Sequence, residues 1–363
     1  MRVRASGFSV PGSCSGSVRR WAFVVLCSVL TTACSGADQL SSASSNLIVE
    51  RARVSMGSEV HLTAWTDDEP KASRAFERAF DEFDRLDRLH SVWKDGSDVL
   101  RVNAEAGRSP VRVSPETLEV LRVARQVSEW TGGKFDVTFG ALSGLWKFDH
   151  DQDNRLPRAE DVRRQLPLID FQAIDVDAGH GTVFLRRPGM RMHFGGIGKG
   201  YAVDRAAAIL RAGGVTNFLI QSGGDLYAGG TRGDRPWRSG IRDPRGPADR
   251  VFAAMDLRDE TFSTSGDYER FFMREGHRYH HILDPDNGQP ARGCRSVTIV
   301  AKEAVLADAL STGVFVLGPQ AGMTLIEKLP DVEGVIVSDR NEVLVSTGLR
   351  GRLELRQAPT DAP

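Results

Sequence analysis

The sequence predicts an α+β fold, a single domain with two lobes over residues 47–350. Three observations lead there. Helix-like and strand-like segments are mixed without the regular strand–helix–strand beat of a doubly wound sheet. Hydrophobic residues are 40% of the chain and charged residues 26%, a balance that builds a packed core. No internal repeat and no linker divides 47–350, and 363 residues suffice for one large domain.

Residues 1–33 read as a signal peptide. Arg19 and Arg20 precede WAFVVLCSVLTT, an apolar run of about 12 residues, too short to span a bilayer comfortably. Thr31-Thr32-Ala33-Cys34 follows. A small residue directly before a cysteine resembles a bacterial lipoprotein cleavage site, although Leu30 lies one position early; ordinary signal-peptidase cleavage nearby is the alternative. Lipidated Cys34 would anchor the chain on the periplasmic side of a bacterial membrane, inner or outer. Residues 34–46, small and polar, would form a flexible tether. Cys14 and Cys27 leave with the leader and Cys34 takes the lipid. Cys294 then stands alone as a packing residue, and no intramolecular disulfide is expected. Net charge is −1, and about −5 once Arg2, Arg4, Arg19 and Arg20 are set aside. No basic stripe interleaved with aromatics appears, which argues against a nucleic-acid partner.

Residues 48–65 alternate apolar and polar positions around Met56-Gly57, the pattern of two strands and a turn. Over 70–89, Phe76, Phe80, Phe83 and Leu86 recur at helical spacing. Ser114-Pro115 is an N-cap with proline at the first helical position. Gly132-Gly133 ends that helix, whose expected apolar face is Leu118, Leu121, Val127 and Trp130. A pair of strands is expected over 169–187 and a helix after Gly200. Strands follow at 217–222, 236–242, 251–257, 269–274, 278–283 and 296–301. Helices over 303–316 and 319–329 precede a hairpin over 334–347, and 351–363 is a C-terminal tail.

Within AKEAVLADALSTGVFVLG, residues 301–318, Asp308 and Thr312 stand four apart and so share a helix face. A carboxylate and a hydroxyl aimed the same way are hard-oxygen ligands that suit Mg2+. The competing reading is a helix acid paired with a basic neighbour and a threonine bonded back to a helical carbonyl. HFGGIGKGYAVD, residues 193–204, runs glycines into a helix start, which suits an anion. Gly200 after Lys199 excludes a P-loop, and Tyr201 excludes the dinucleotide fingerprint. These glycines could equally let a helix pack close to a strand. QSGGDLYAGG, with Gly223, Gly224 and Asp225, is a second such turn, a candidate to approach a flat ring or phosphate, or else a hairpin. STSGDYERFF presents Ser265 and Gly266. His280 and His281 are adjacent, so in a strand one faces a cleft and the other the opposite side, toward solvent. No second histidine or cysteine has zinc-ligand spacing.

MGSEVHLTAW, GGKFDVTFGAL, GGIGKGYAVD, SGGDLYAGG, TSGDYERF, HHILDPDNGQP and ADALSTGVFVLG occur in this order. Together they resemble the FAD:protein FMN transferase family, also called ApbE, over roughly residues 48–350. The resemblance implies an α+β domain of the ApbE type with flavin bound in the cleft between lobes. It implies Mg2+-dependent transfer of FMN from FAD to a threonine hydroxyl of an acceptor protein, with AMP leaving. Acceptors would be exported flavoproteins such as subunits of membrane redox complexes. Met56, Trp93, Lys134, Phe135, Asp136, Lys199 and Ile282 fall at flavin-contacting positions of the family. The resemblance gives the metal to Gly196 through its carbonyl, to Asp308 and Thr312, and to Ser311 as a further ligand. It makes His281 the histidine needed for transfer. His193 stands where the family usually has Asp, in the FAD site, and Asn287 replaces a Thr in the turn before Gly288.

The chemistry agrees with these residue types. A divalent cation neutralises pyrophosphate charge, Lys199 adds to it, and a weak threonine nucleophile benefits from a base. His281 is the candidate base and His193 a second one. A Mg2+-dependent FAD pyrophosphatase giving FMN and AMP is one alternative. A non-catalytic flavin-binding lipoprotein is another, kept open by His193.

Overall fold

Met56 and Gly57 turn the chain back on itself with positive φ at both, 50° and 72°. Such a turn matches the twist of a hairpin, so β1 (Leu47–Ser55) and β2 (Ser58–Thr66) pair without slippage. The computed structural model describes residues 47–149 and 151–362. The expected signal peptide, Cys34 anchor and 34–46 tether lie outside the described residues.

Six more strands extend that hairpin: β3 (Phe218–Ser222), β4 (Asp225–Gly229), β5 (Glu260–Gly266), β6 (Cys294–Ala301), β7 (Glu333–Ser338) and β8 (Val343–Val345). Among the described residues they form an eight-stranded sheet in the order β1 to β8, every neighbour antiparallel. The sheet is thus a meander whose connections have grown. Between β2 and β3 come α1 (Glu69–His90), α2 (Pro115–Trp130), α3 (Gly198–Ala212) and a three-stranded sheet. Between β4 and β5 comes a hairpin of Trp237–Arg242 and Val251–Leu257. Between β6 and β7 come α4 (Ala304–Leu317) and the helix Pro319–Ile326.

The helices cover one face of the sheet, and the 237–257 hairpin covers the other. Along β6, Val297, Ile299 and Ala301 belong to the helix-side core, whereas Val300 belongs to the hairpin-side core with Leu226, Phe252 and Val335. That alternation is the period of two expected of a strand. On α1, Phe76, Phe80, Phe83 and Leu86 are all buried, each contributing about 2 kcal/mol of transfer free energy. A third, smaller core of Leu142, Trp146, Val162, Phe272 and Leu283 sits apart from both. Its rings stack in series: Trp146 on Phe148 at 5.6 Å, Phe148 on Phe272 at 5.7 Å, Phe272 on Tyr279 at 5.3 Å.

Several expectations need correction. On α2, Leu121 and Val127 are buried and Leu118 half-buried as expected, but Trp130 is 36% exposed, and Val120, Val123 and Ala124 complete the buried face. His280 does not face solvent. It is buried, with Nε2 3.0 Å from the Ala291 carbonyl and Nδ1 accepting from the Ile282 amide at 3.3 Å. Residues 351–362 are not a loose tail: Leu353–Leu355 pairs with Val251–Leu257. Cys294 is a buried, free packing residue, its thiol pushed up to about 12 by burial. Among the described residues no helix is long and apolar enough to cross a membrane.

Candidate active site

The glycine turn before α3 is held by backbone hydrogen bonds, one within it and one to the Val137–Leu142 segment. The His193 amide donates to the Val137 carbonyl at 2.8 Å, and the Gly198 amide to the Phe194 carbonyl at 2.8 Å. Its glycines do allow close packing, but of a helix against a helix rather than against a strand. A Cβ on Gly200 would stand 2.2 Å from the Ala304 carbonyl oxygen, so Gly200 lets α3 and α4 touch. A Cβ on Gly196 would stand 3.0 Å from Thr312 Oγ1, so Gly196 brings bare backbone beside that hydroxyl.

This close approach puts Asp308 and Thr312 of α4 at the turn. Asp308 Oδ2 accepts from the Gly200 amide at 3.0 Å; among the described residues its Oδ1 has no hydrogen-bond partner. Burial, with Asp225 beside it, pushes the Asp308 carboxyl up. Thr312 Oγ1 is 3.2 Å from Ser265 Oγ rather than bonded to a helical carbonyl. Ser311 takes that back-bond: its Oγ donates to the Asp308 carbonyl at 2.9 Å and lies 2.9 Å from Ser265 Oγ, fully buried behind Thr312. Lys199 Nζ is 3.4 Å from Asp225 and 4.0 Å from Asp308. Burial disfavours the Lys199 ammonium, but the two carboxylates outweigh it and hold its pKa above the ordinary value.

Gly196, Lys199, Asp225, Ser265, Asp308 and Thr312 line one cleft of about 430 Å³, whereas Ser311 lies outside its lining. His281 is in it, and its Nδ1 lies 3.3 Å from the Arg270 carbonyl. A carbonyl only accepts, so Nδ1 carries the proton and Nε2 is left as a base. Burial, then the charge of Arg270, pushes the imidazole down to about 3. His193 also lines the cleft. Its Nδ1 accepts from the Gly195 amide at 2.9 Å, and burial pushes it down to about 4, so it is a neutral imidazole whose remaining nitrogen is a donor.

The flavin-contacting expectations divide. Lys134, Phe135, Asp136, Lys199 and Ile282 line the cleft, and Trp93 stands at its rim, 55% exposed. Met56 lines an adjoining chamber of about 350 Å³ that shares Trp93, His193 and Lys199 with the main cleft. Asp136 is committed to scaffolding: it accepts from the Thr138 amide and hydroxyl and from the Phe171 amide, capping the short helix Val137–Leu142. Lys134 Nζ bonds Asp284 at 2.9 Å and Asp286 at 2.8 Å, tying the 284–288 turn to the wall.

Some lining groups were not singled out by sequence reasoning. Trp146, Phe148 and Phe139 give the cleft an aromatic wall, and Arg270, ion-paired with Asp149 at 2.8 Å, gives it a cation. The sequence signal for that wall is the run LWKF for Trp146 and Phe148 and the run GGKFDVTFGAL for Phe139. Asp225 was noted as a turn residue, not as a buried acid at the back of the site. A carboxylate, a hydroxyl and a backbone carbonyl are hard oxygen donors, so Asp308, Thr312 and Gly196 fit Mg2+. Among the described residues no three His, Cys, Asp or Glu side chains gather as a metal site.

Comparison with known proteins agrees with this geometry. A family model described as "ApbE family" matches residues 56–336. A Klebsiella pneumoniae (strain 342) protein named FAD:protein FMN transferase is 32% identical over 88% of this chain and 97% of its own length. A Treponema pallidum protein of the same name is 33% identical over 78% of this chain and 82% of its own. The crystal structure of the ApbE protein from Thermotoga maritima superposes with a TM-score of 0.78 at 32% identity, covering 84% of this chain and 99% of that one. With its meandering sheet, its glycine turn against α4 and these relatives, the chain belongs to the ApbE family.

Proposed function

We propose that this chain is an FAD:protein FMN transferase that moves FMN from FAD to a threonine hydroxyl of an exported acceptor flavoprotein, using Mg2+ and releasing AMP. One observation carries the reading: Asp308, Thr312, Gly196, Lys199 and His281, scattered between positions 196 and 312 of the sequence, converge on one cleft. The relatives' shared name gives the reaction class.

Bound Mg2+ would neutralise pyrophosphate charge and so favour displacement at phosphorus. Asp308, Thr312 and the Gly196 carbonyl would hold it. Lys199 faces the same space and places a buried ammonium against the phosphates, where low dielectric strengthens its pull. The aromatic wall of Phe139, Trp146 and Phe148 offers a flat apolar surface for a ring system. His281 Nε2 takes the proton as the acceptor hydroxyl attacks the FMN phosphorus. A new phosphorus–oxygen bond forms, the bond from that phosphorus to the bridging oxygen breaks, and AMP departs. His193, a neutral donor, takes the place of a carboxylate at the mouth and removes one negative charge from the path of an anionic substrate.

Arg19-Arg20, the apolar run and Cys34 support an enzyme anchored by lipid on the periplasmic side of a bacterial membrane. Substituting Cys34→Ala should abolish incorporation of labelled palmitate; retained label would sink that part. For the reaction, the chain is incubated with FAD, Mg2+ and a competent acceptor domain, and the acceptor is weighed by mass spectrometry. One FMN should be added per acceptor. AMP release at a comparable rate without acceptor would favour the pyrophosphatase, and FAD left intact would favour a flavin carrier. Asp308→Ala should cut transfer by about 10²-fold or more.

A further inference from the structure

Asp225 opens β4 at the back of the cleft and is 1% exposed. Its Oδ1 accepts from Ser263 Oγ across the β4–β5 register. Its Oδ2 is buried and makes no hydrogen bond, although Lys199 Nζ stands 3.4 Å away. A buried carboxylate oxygen without a donor is costly unless a charge compensates it. The strand start is also locked in place. The Thr264 amide donates to the Gly224 carbonyl at 2.9 Å, and a Cβ on Gly224 would stand 2.4 Å from the Thr264 carbonyl oxygen.

On the other side of the ammonium, Asp308 Oδ2 is 4.0 Å from Nζ. Lys199 Nζ therefore lies within 4.0 Å of two buried carboxylates, nearer Asp225 than Asp308. An ammonium paired fully with Asp308 would compete with a divalent cation for the same charge, and at low dielectric the two positive ions repel strongly. Some group must draw the ammonium aside. Among the described residues Asp225 and Asp308 are the carboxylates that pair with Lys199.

We propose that Asp225 is a positioning residue that holds the Lys199 ammonium off Asp308, keeping that carboxylate open to a divalent cation and the ammonium turned toward the dinucleotide phosphates. The proposal rests on the cation reading given above.

Cation binding, rather than turnover, tests it. Mn2+ is titrated into the full chain without FAD, and free Mn2+ is followed by its electron paramagnetic resonance signal. The wild type should bind one Mn2+. Asp225→Asn, nearly isosteric and still an acceptor for Ser263, should weaken binding about tenfold or more as Lys199 swings to Asp308. Lys199→Gln should bind as tightly as wild type or tighter. The double variant Asp225→Asn/Lys199→Gln should return to within about threefold of wild type, because the competitor is gone. A directly coordinating or merely scaffolding Asp225 predicts a double variant as weak as Asp225→Asn; that result overturns the proposal, as does unchanged binding by Asp225→Asn. If Asp225→Asn fails to fold by circular dichroism, Lys199→Gln decides alone: weakened binding overturns the proposal. A wild type that binds no Mn2+ removes the cation reading itself, a failure distinct from the others.

Discussion

His281 and His90 are both buried imidazoles, yet their partners give them opposite consequences. His281 has one nitrogen satisfied by the Arg270 carbonyl and the other free toward the cleft. With its pKa pushed down to about 3 it is neutral in the free protein across physiological pH. Such an imidazole is available but weakly basic. Bound pyrophosphate, being anionic, should raise it toward the working range. The profile of kcat/KM, which reports the free enzyme, should then show no acid limb from this group between about pH 5 and 8. The profile of kcat, which reports the complex, should show one at higher pH. Identical profiles would contradict this, and His281→Ala should lower kcat by roughly 10²–10⁴-fold. His90 is different: it packs edge-on against Phe194, 5.3 Å between ring centres, and among the described residues neither of its nitrogens has a hydrogen-bond partner. Burial pushes it down to about 4. Below about pH 6.5 the unfolded chain takes up a proton that folded His90 refuses, so this residue costs stability as pH falls from there toward its folded pKa. His90→Phe should therefore stabilise the protein, and its advantage should be about 2 kcal/mol larger at pH 5 than at pH 7.5, measured by urea unfolding at both. An advantage independent of pH would mean that His90 is not neutral when folded.

At the scale of elements, the site depends on how closely α3 and α4 approach. Asp204 of α3 accepts from the Ala304 and Val305 amides, both at 2.8 Å, and so caps α4 from its neighbour. Four residues earlier, Gly200 leaves no room for a side chain. Gly200→Ala should push the helices apart, costing about 2–4 kcal/mol by unfolding titration, and should weaken Mg2+ binding because Asp308 loses its Gly200 anchor. Stability without any change in cation affinity would separate packing from the site. Elements of this kind were legible in the sequence where a face or a cap set them. The four apolar positions of α1, the Ser114-Pro115 start of α2 and the strand pair around Met56-Gly57 all appear as read. QSGGDLYAGG takes the hairpin alternative, β3 turning into β4 at Gly223-Gly224, whereas the extent of β4 and β5 is not legible, because DLYAG and ETFSTSG are buried on most positions and carry no apolar–polar alternation. In β5 the serines and threonines are spent on hydrogen bonds, as Thr261 Oγ1 to the Leu226 carbonyl at 2.6 Å. The helices Asp98–Ala104 and Ala159–Gln165, seven residues each, are too short for periodicity to declare. The i, i+4 spacing puts Asp308 and Thr312 on one helix face, and only the family resemblance makes them metal ligands; the Asp225–Lys199 pair has no such signal, since the two lie 26 positions apart and only the fold brings them together.

For the whole molecule, the sheet is a simple meander and the function sits in what interrupts it. The turn, α3 and the helix α4 all enter at breaks between consecutive strands, so the cleft is assembled from separate insertions on one face. The other face is closed by the 237–257 hairpin, and that hairpin is itself completed from the far end of the chain. Leu353–Leu355 adds a third strand to it. Beyond it, Thr360 donates from its amide and hydroxyl to the fully buried carboxylate of Asp243, at 3.0 and 2.7 Å to Oδ2. The Thr360 carbonyl in turn accepts from the buried Arg295 at 3.1 Å, and the Asn341 amide donates to the Pro359 carbonyl at 2.9 Å. Residues 351–362 thus satisfy buried charged groups that would otherwise face water or go unpaired. Each such group left without its partner costs about 1–3 kcal/mol, and a lost strand adds exposed edge and apolar area. Truncation after Arg350 should therefore lower the melting temperature by roughly 10 °C or more in calorimetry. Because this segment lies on the sheet face opposite the helices, FAD affinity at a temperature where the truncated chain is still folded should change by less than about threefold. A truncated chain as stable as the full one would show that the hairpin layer holds without its third strand.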